Sequence, residues 1–281
     1  MSSLRRIYRW VLVGAVVVGD PLATLAQSNV AVAVPQPAAL GWVTSRSLAW
    51  QAPLPVQGGD AYFTNLTNGD KIETPFVVKF GLSGGWGLAP IAKASAGKSG
   101  HHHLLVNRDL PLDFKKALPF SEQYIHFGKG QMETVLDLAP GVYNLRLLLA
   151  DQNHLPHFVY SKQLKITVTK KNPTTPASSV TPNISLNVVS TELKRPFRVQ
   201  FHASGLNVGQ LAQQEAGTGH FKLLISPKSG ASAVELNFVN GETETWLEPP
   251  TGDYVLSLDF VDNLKLGRIV AQAEPKAVRV N

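Results

Sequence analysis

Along most of the chain, apolar and polar positions alternate in short runs, and no segment keeps a 3.6-residue apolar period long enough for a stable helix. In the first half, the runs at residues 62–66, 76–80, 103–106, 122–127, 133–137, 143–149 and 164–168 are rich in Val, Leu, Thr, Phe and Tyr. Gly, Pro, Asn and Asp separate them, which is the pattern of half-buried strands joined by tight connections. Pro140-Gly141 and Thr251-Gly252 fall between consecutive runs, where hairpin turns are expected, and Gly130 and Gly241 mark another turn. About seven short strands in roughly 110 residues predicts an immunoglobulin-like antiparallel β-sandwich.

The pattern is written twice. PFVVKFGLSG from Pro75 matches PFRVQFHASG from Pro196, and SGHHHLLV from Ser99 matches TGHFKLLI from Thr218. IHFGKGQMETVLDLAPGVYNLRLLLAD from Ile125 matches LNFVNGETETWLEPPTGDYVLSLDFVD from Leu236. Three blocks in the same order mark an internal duplication. The expected fold is all-β, two tandem immunoglobulin-like antiparallel β-sandwich domains. The expected boundaries are a signal peptide at 1–26, a leader at 27–58, a His-rich sandwich at 59–169, a Pro/Thr/Ser-rich linker at 170–183 and a degenerate second copy at 184–281.

The start of the chain reads as an export signal. Arg5, Arg6 and Arg9 precede an apolar run from Trp10 to Gly19, which is shorter than the roughly 20 residues a membrane span needs. Thr24-Leu25-Ala26 offers small residues for cleavage before Gln27. The alternative is an uncleaved anchor, against which Asp20 and Pro21 end the run. No later segment is long and apolar enough to span, so no membrane span is expected after cleavage.

Residues common to both copies belong to the fold, and residues found in one copy only are candidates for function. The common set includes Pro75/Pro196, Gly100/Gly219, His101/His220, Glu133/Glu244, Thr134/Thr245, Gly141/Gly252, Tyr143/Tyr254 and Asp151/Asp262. The glycines serve turns, and each tyrosine packs its ring while its hydroxyl reaches a backbone group. The histidines behave differently. His102, His103, His126, His154 and His157 correspond to Phe221, Lys222, Asn237, Lys265 and Arg268, and only His101 keeps its imidazole, as His220. A single site grafted on one copy has this appearance.

Strand alternation places His101 and His103 on one face and turns His102 inward as an orienting residue. Residues i and i+2 on a strand lie about 6.6 Å apart at Cα, close enough for two imidazoles to meet one ion. His154 and His157 form an H-x-x-H after RLLLAD and are expected to join them, with His126 as an alternate ligand. Imidazole ligands without thiolate favour Zn or Cu(II). Only the neutral ring binds, so affinity is expected to fall as pH drops through about 6.5.

Charge and composition narrow the classes. The net charge of +6 falls to +4 without residues 1–26, which carry three Arg and one Asp, and the excess is scattered. No basic stripe with interleaved aromatics points to nucleic acid. The absence of cysteine excludes disulfides, thiolate metal sites and a Cys nucleophile. No G-x-S-x-G, Walker loop or dinucleotide fingerprint is present, and GLSGGWGLAP at 81–90 lacks the Lys-Ser/Thr of a phosphate loop.

GHHHLL, GKGQ-x-E, LAPGVYNLRLLLAD and the D-x-x-H at Asp151–His154 together resemble a bacterial exported domain family known as domain of unknown function 4399. The resemblance covers about residues 60–169 well and 184–281 weakly. It implies an exported β-domain whose histidine patch is its signature, and it implies no activity. The expected function is a periplasmic or secreted binding or accessory protein, whose partner is a metal ion or an envelope protein. A metal-dependent hydrolase, with Glu133 as general base, and a purely structural envelope module are the alternatives. Glu244 persists in the copy without the histidines, which argues that Glu133 is structural.

Overall fold

A computed structural model describes residues 50–54, 59–92, 97–172 and 181–281, which lie within one compact unit spanning residues 43–281. The expected signal peptide, most of the leader and the centre of the linker lie outside the described residues. The first copy contains β1 (Ala61–Phe63), β2 (Lys71–Thr74), β3 (Phe76–Leu82), β4 (Gly87–Leu88), β5 (Ser99–Val106), β6 (Tyr124–His126), β7 (Glu133–Leu136), β8 (Gly141–Ala150), β9 (Pro156–Tyr160) and β10 (Leu164–Lys171). The second contains β11 (Asn183–Val188), β12 (Glu192–Leu193), β13 (Phe197–Ser204), β14 (Asn207–Val208), β15 (Thr218–Pro227), β16 (Val234–Phe238), β17 (Glu244–Leu247), β18 (Gly252–Asp262), β19 (Ile269–Gln272) and β20 (Lys276–Val280).

Each copy packs a three-stranded sheet on a seven-stranded one. The small sheets run β1-β3-β7 and β11-β13-β17, and the large ones β2-β10-β8-β5-β4 and β12-β20-β18-β15-β14, with β6 and β16, then β9 and β19, added at matching places. These are two immunoglobulin-like sandwiches in tandem, antiparallel except for two short parallel edge pairs in each copy. Alternation accounts for the core. Val78, Phe80 and Leu82 of β3 face Leu104 and Val106 of β5 and Leu145, Leu147 and Leu149 of β8, all buried.

One local expectation changes. Pro140-Gly141 and Thr251-Gly252 are not hairpin turns, because β7 and β8, like β17 and β18, belong to different sheets. The same turn residues serve an arch that carries the chain across the sandwich. Tyr143 and Tyr254 brace these arches, each hydroxyl donating to a carbonyl four residues back: Ala139 at 2.9 Å and Pro250 at 2.8 Å. That contact is the tyrosine corner of such sandwiches.

The two copies dock on each other through a reciprocal set of contacts. The Leu88 N–H donates to Gly241 O at 2.8 Å, and the Val208 N–H, at the matching position, donates to Gly130 O at 2.9 Å. Glu133 accepts from His202 Nε2 at 3.0 Å and Ser204 Oγ at 2.8 Å, both from the second copy. Its counterpart Glu244 accepts from Tyr62 of the first copy at 2.9 Å and pairs with Arg198, which lies over the Tyr62 ring. Burial pushes the Glu133 carboxyl up, but the bonds from His202 and Ser204 outweigh it and hold its pKa below the usual value. Burial raises that of Glu244 despite Arg198. One hydrophobic cluster contains core residues of both sandwiches. The shared glycines and glutamates therefore build the pseudo-twofold joint between the copies.

Gly130 has φ of 86° and its missing Cβ would lie 1.9 Å from Val208 O, while Gly241 has φ of 81° and the same atom would lie 2.1 Å from Leu88 O. Gly130→Ala and Gly241→Ala are each expected to cost more than about 2 kcal/mol in urea unfolding, from left-handed strain plus a backbone clash. Gly230, at φ of 84° with nothing within 4 Å of a Cβ, is the control, and its Ala variant should lose only about 1 kcal/mol.

Candidate metal centre

The site begins with β5, every residue of which is buried. The core-facing side chains are expected; the outer ones are buried because residues 107–123 fold back over that face. Leu110, Phe114 and Leu118 pack on Leu105 of β5 and on Leu148 and Ala150 of β8. Beside this apolar patch, His101 and His103 project from the same face of β5, with 0% and 1% of their surface exposed. Their rings lie 4.7 Å apart, as alternation predicts.

Two more imidazoles arrive from neighbouring segments. His126 of β6 is the cross-strand partner of His103, so its ring meets those of His103 and His101 at 5.2 and 4.6 Å. His154 sits in the turn after β8. The Asp151 carboxylate accepts the N–H groups of Asn153 at 2.8 Å and Leu155 at 2.9 Å, and Asp151 O accepts that of His154 at 2.9 Å. This turn holds His154 at φ of 62° and folds its ring back over the sheet end, 5.1 Å from that of His101. One ring nitrogen from each of His101, His103, His126 and His154 lies within 4.8 Å of all the others, and the group could hold a metal ion.

The geometry fits a tetrahedral imidazole site. Zn–N bonds near 2.05 Å give tetrahedral edges of about 3.3 Å. The His126 and His154 Nε2 atoms lie 3.2 Å apart, within hydrogen-bond reach of each other and close to one such edge, and the wider separations, up to 4.8 Å, would have to shorten on an ion. Both ring nitrogens of His101 and Nδ1 of His103 are buried with no hydrogen-bond partner. Buried imidazole nitrogens are normally partnered. The second copy supplies that normal case: His220 Nδ1 bonds Asn263 Oδ1 at 2.8 Å, and Asn263 Nδ2 donates to Gly209 O and Gln210 O. At the other cage positions the second copy has Lys222, Asn237 and Lys265, and Lys222 pairs with the half-buried Asp259 at 3.3 Å.

Electrostatics keep the cage in its ligating form. Burial, reinforced by His103, His126 and His154, pushes the His101 pKa down to about 2. Burial, with His126 and His154, pushes that of His103 down to about 3. His126 is lowered by burial and by His154. His101 and His103 thus present lone pairs well below pH 6.5, so proton competition for these two sets in lower than their unperturbed value suggests.

The other expected residues lie elsewhere. His102 points to the opposite face, fully buried with its ring edge-on to Phe80 at 4.8 Å, and is not one of the four grouped histidines. Burial alone pushes its pKa down to about 3. His157 is not in the group: the left-handed turn at His154 redirects the chain into β9, and the His157 ring packs on Trp86 at 4.8 Å. Sequence reasoning also missed three supporting residues. Phe120 covers the cage edge-on, 5.4 Å from the His126 ring and 4.7 Å from that of His154. The Leu118 N–H donates to His154 O at 2.9 Å, tying the covering loop to the ligand-bearing turn. Gly128 leaves room for His126, since a Cβ there would lie 2.6 Å from Nε2. The signal for the loop was a length difference: residues 107–123 join β5 to β6, where residues 228–233 join β15 to β16.

Comparison with known proteins adds the following. A family model described as Domain of unknown function (DUF4399) matches residues 78–169 and 199–280. No curated protein matches. Among solved structures, the chain is similar to the fibronectin(III)-like modules of Clostridium thermocellum CbhA, at 11% identity and a TM-score of 0.25, covering 78% of this chain and 92% of that one. It is also similar to a two-domain fibronectin type III segment of chicken tenascin, at 14% identity and a TM-score of 0.21, covering 78% and 96%.

The depressed pKa values set a pH dependence. A histidine kept neutral in the fold contributes stability that is fully present above about pH 6.5, the unfolded value, and is lost as pH falls toward the folded value. For His101, His102 and His103 the window runs from about 6.5 down to between 2 and 3. Metal-free protein is expected to lose about 2 kcal/mol per buried histidine between pH 7 and pH 5, read from urea midpoints.

Proposed function

The chain belongs to the DUF4399 family, and from that premise and the geometry of its first copy we propose that it is an exported binding protein that holds one Zn²⁺ or Cu²⁺ in the cage of His101, His103, His126 and His154. The observation that carries this reading is the convergence of four imidazoles, three of whose buried ring nitrogens lack a partner, in a copy whose counterpart has His220, Lys222, Asn237 and Lys265 at the same positions. Four nitrogen donors and no thiolate suit these two ions. Bound there, the metal would be held by imidazoles alone, with Phe120 and residues 107–123 screening it from bulk water on one side. Export is supported by Arg5, Arg6 and Arg9 ahead of the apolar run, the small residues before Gln27 and the absence of cysteine.

The hydrolase alternative is disfavoured by Glu133. Its carboxylate is engaged by His202 and Ser204 in the joint between the copies, and the four-residue cage contains no carboxylate of its own to act as general base. An accessory role in binding or delivering metal needs no such base.

Titration of Zn²⁺ and Cu²⁺ into the untagged full-length chain tests the proposal. One ion per chain is expected. His101→Ala, His103→Ala and His154→Ala should each weaken binding by more than about 100-fold, because each removes a ligand. His157→Ala and His220→Ala should bind as the wild type does. Gly128→Ala should weaken binding while leaving thermal stability near that of the wild type, because the new methyl meets the movable His126 ring and the end of the Ile91 side chain. Wild-type affinity in both His103→Ala and His154→Ala overturns the proposal.

A further inference from the structure

His101 and His103 are buried beneath the covering segment, and Phe120 stands over His126 and His154 on the solvent side. The cage reaches a substantial cavity elsewhere. A cleft of about 560 Å³ opens where the two copies meet, and His126 is the cage residue that lines it. Gly128 and Lys129 of the first copy and Asn207 and Glu215 of the second complete its walls. A volume of this size accommodates a small molecule and far exceeds what a bare ion needs.

Resting on the metal-binding reading, we propose that this cleft is the docking pocket from which the cage is loaded, and that it takes the ion as a small amino-acid-type chelate bearing a carboxylate and an N–H donor. The charges argue for this class. Lys129 and Glu215 come from opposite copies, and neither makes an ion pair among the described residues. A carboxylate is complementary to Lys129, and an N–H group to Glu215. For a bare dication the attraction of Glu215 and the repulsion of Lys129 offset each other, whereas a neutral bis-chelate can use both groups through its N–H and carboxylate. The wall residue His126 is the first imidazole such a complex meets. Transfer is then ligand exchange: each imidazole nitrogen replaces a chelate oxygen or nitrogen, and the metal keeps its oxidation state. The released carboxylate leaves as the anion, and the released amine takes a proton from water.

The route also gives the second copy a purpose. It has no cage, yet it supplies Asn207, Glu215, Ala216 and Thr218 to the far wall. The reciprocal joint fixes that wall opposite His126.

Copper(II) bis-glycinate serves as the probe, mixed with metal-free full-length chain and followed by visible absorption in a stopped-flow instrument. The loading rate should saturate with chelate concentration, as docking requires. Ala216→Trp, at an exposed cleft position, should slow loading by about tenfold or more, and Lys129→Ala should raise the half-saturating concentration about threefold or more. Phe120→Ala, which uncovers His126 and His154, should still load with a rate that saturates in chelate and is slowed by Ala216→Trp, because docking in the cleft does not depend on that ring. A rate linear in chelate with neither cleft variant affected overturns the inference. So does an unaltered Ala216→Trp rate combined with tenfold faster loading of Phe120→Ala, which would place the route under the lid. Absence of bound copper at equilibrium in the wild type overturns the metal reading itself, and so separates the two failures.

Discussion

The structure turns on the burial of uncharged imidazole. A β-strand offers two faces, and in a sandwich only one is normally dry. In β5 both are. The inner face takes His102, Leu104 and Val106, and the outer face takes His101, His103 and Leu105 beneath a second, smaller apolar cluster. Water that would stabilise imidazolium is excluded, so the rings stay neutral and keep their lone pairs. The covering segment, the turn that positions His154 and the register that places His126 beside His103 all act on that one dry patch.

How much of this was legible varied with the range of the interaction. Period-two alternation and repeated blocks revealed the strands, the duplication and the shared face of His101 and His103, because these depend on neighbours in sequence. Which sheet each strand joins was not legible: Pro140-Gly141 suits an arch as well as a hairpin. The ranking of His157 above His126 followed spacing, and spacing misled. An H-x-x-H meets one ion on a helix or a simple turn, but here the left-handed residue between β8 and β9 sends His157 to Trp86. The pairing of His126 with His103 spans 23 residues and depends on where β6 lies against β5, which local pattern does not set. The covering loop was readable as an unequal gap between otherwise matching blocks.

The common residues also proved to have a use that turn chemistry alone does not suggest. Gly130 and Gly241 do form turns, but their missing side chains are filled by a carbonyl from the other copy. Glu133 and Glu244 reach across the same joint. Comparing two copies within one chain thus separates two kinds of residue. The glycines and glutamates at the joint are held in both copies, although the groups they meet differ, and the outer face of the large sheet carries four clustered histidines in one copy and a Lys222–Asp259 pair in the other.

That joint carries an evolutionary consequence. In a reciprocal contact each glycine is matched by a carbonyl of the sister copy, so a change on one side is tolerated only if the other side yields too. The two halves of the gene are therefore coupled at the joint and must drift in concert there, however freely they part elsewhere. On the outer face of its large sheet the second copy carries Lys222 and Asp259 where the first has His103 and Leu148. Divergence in such a chain is channelled by geometry: side chains around the joint can change, but the two glycines that receive a carbonyl of the sister copy have no room to.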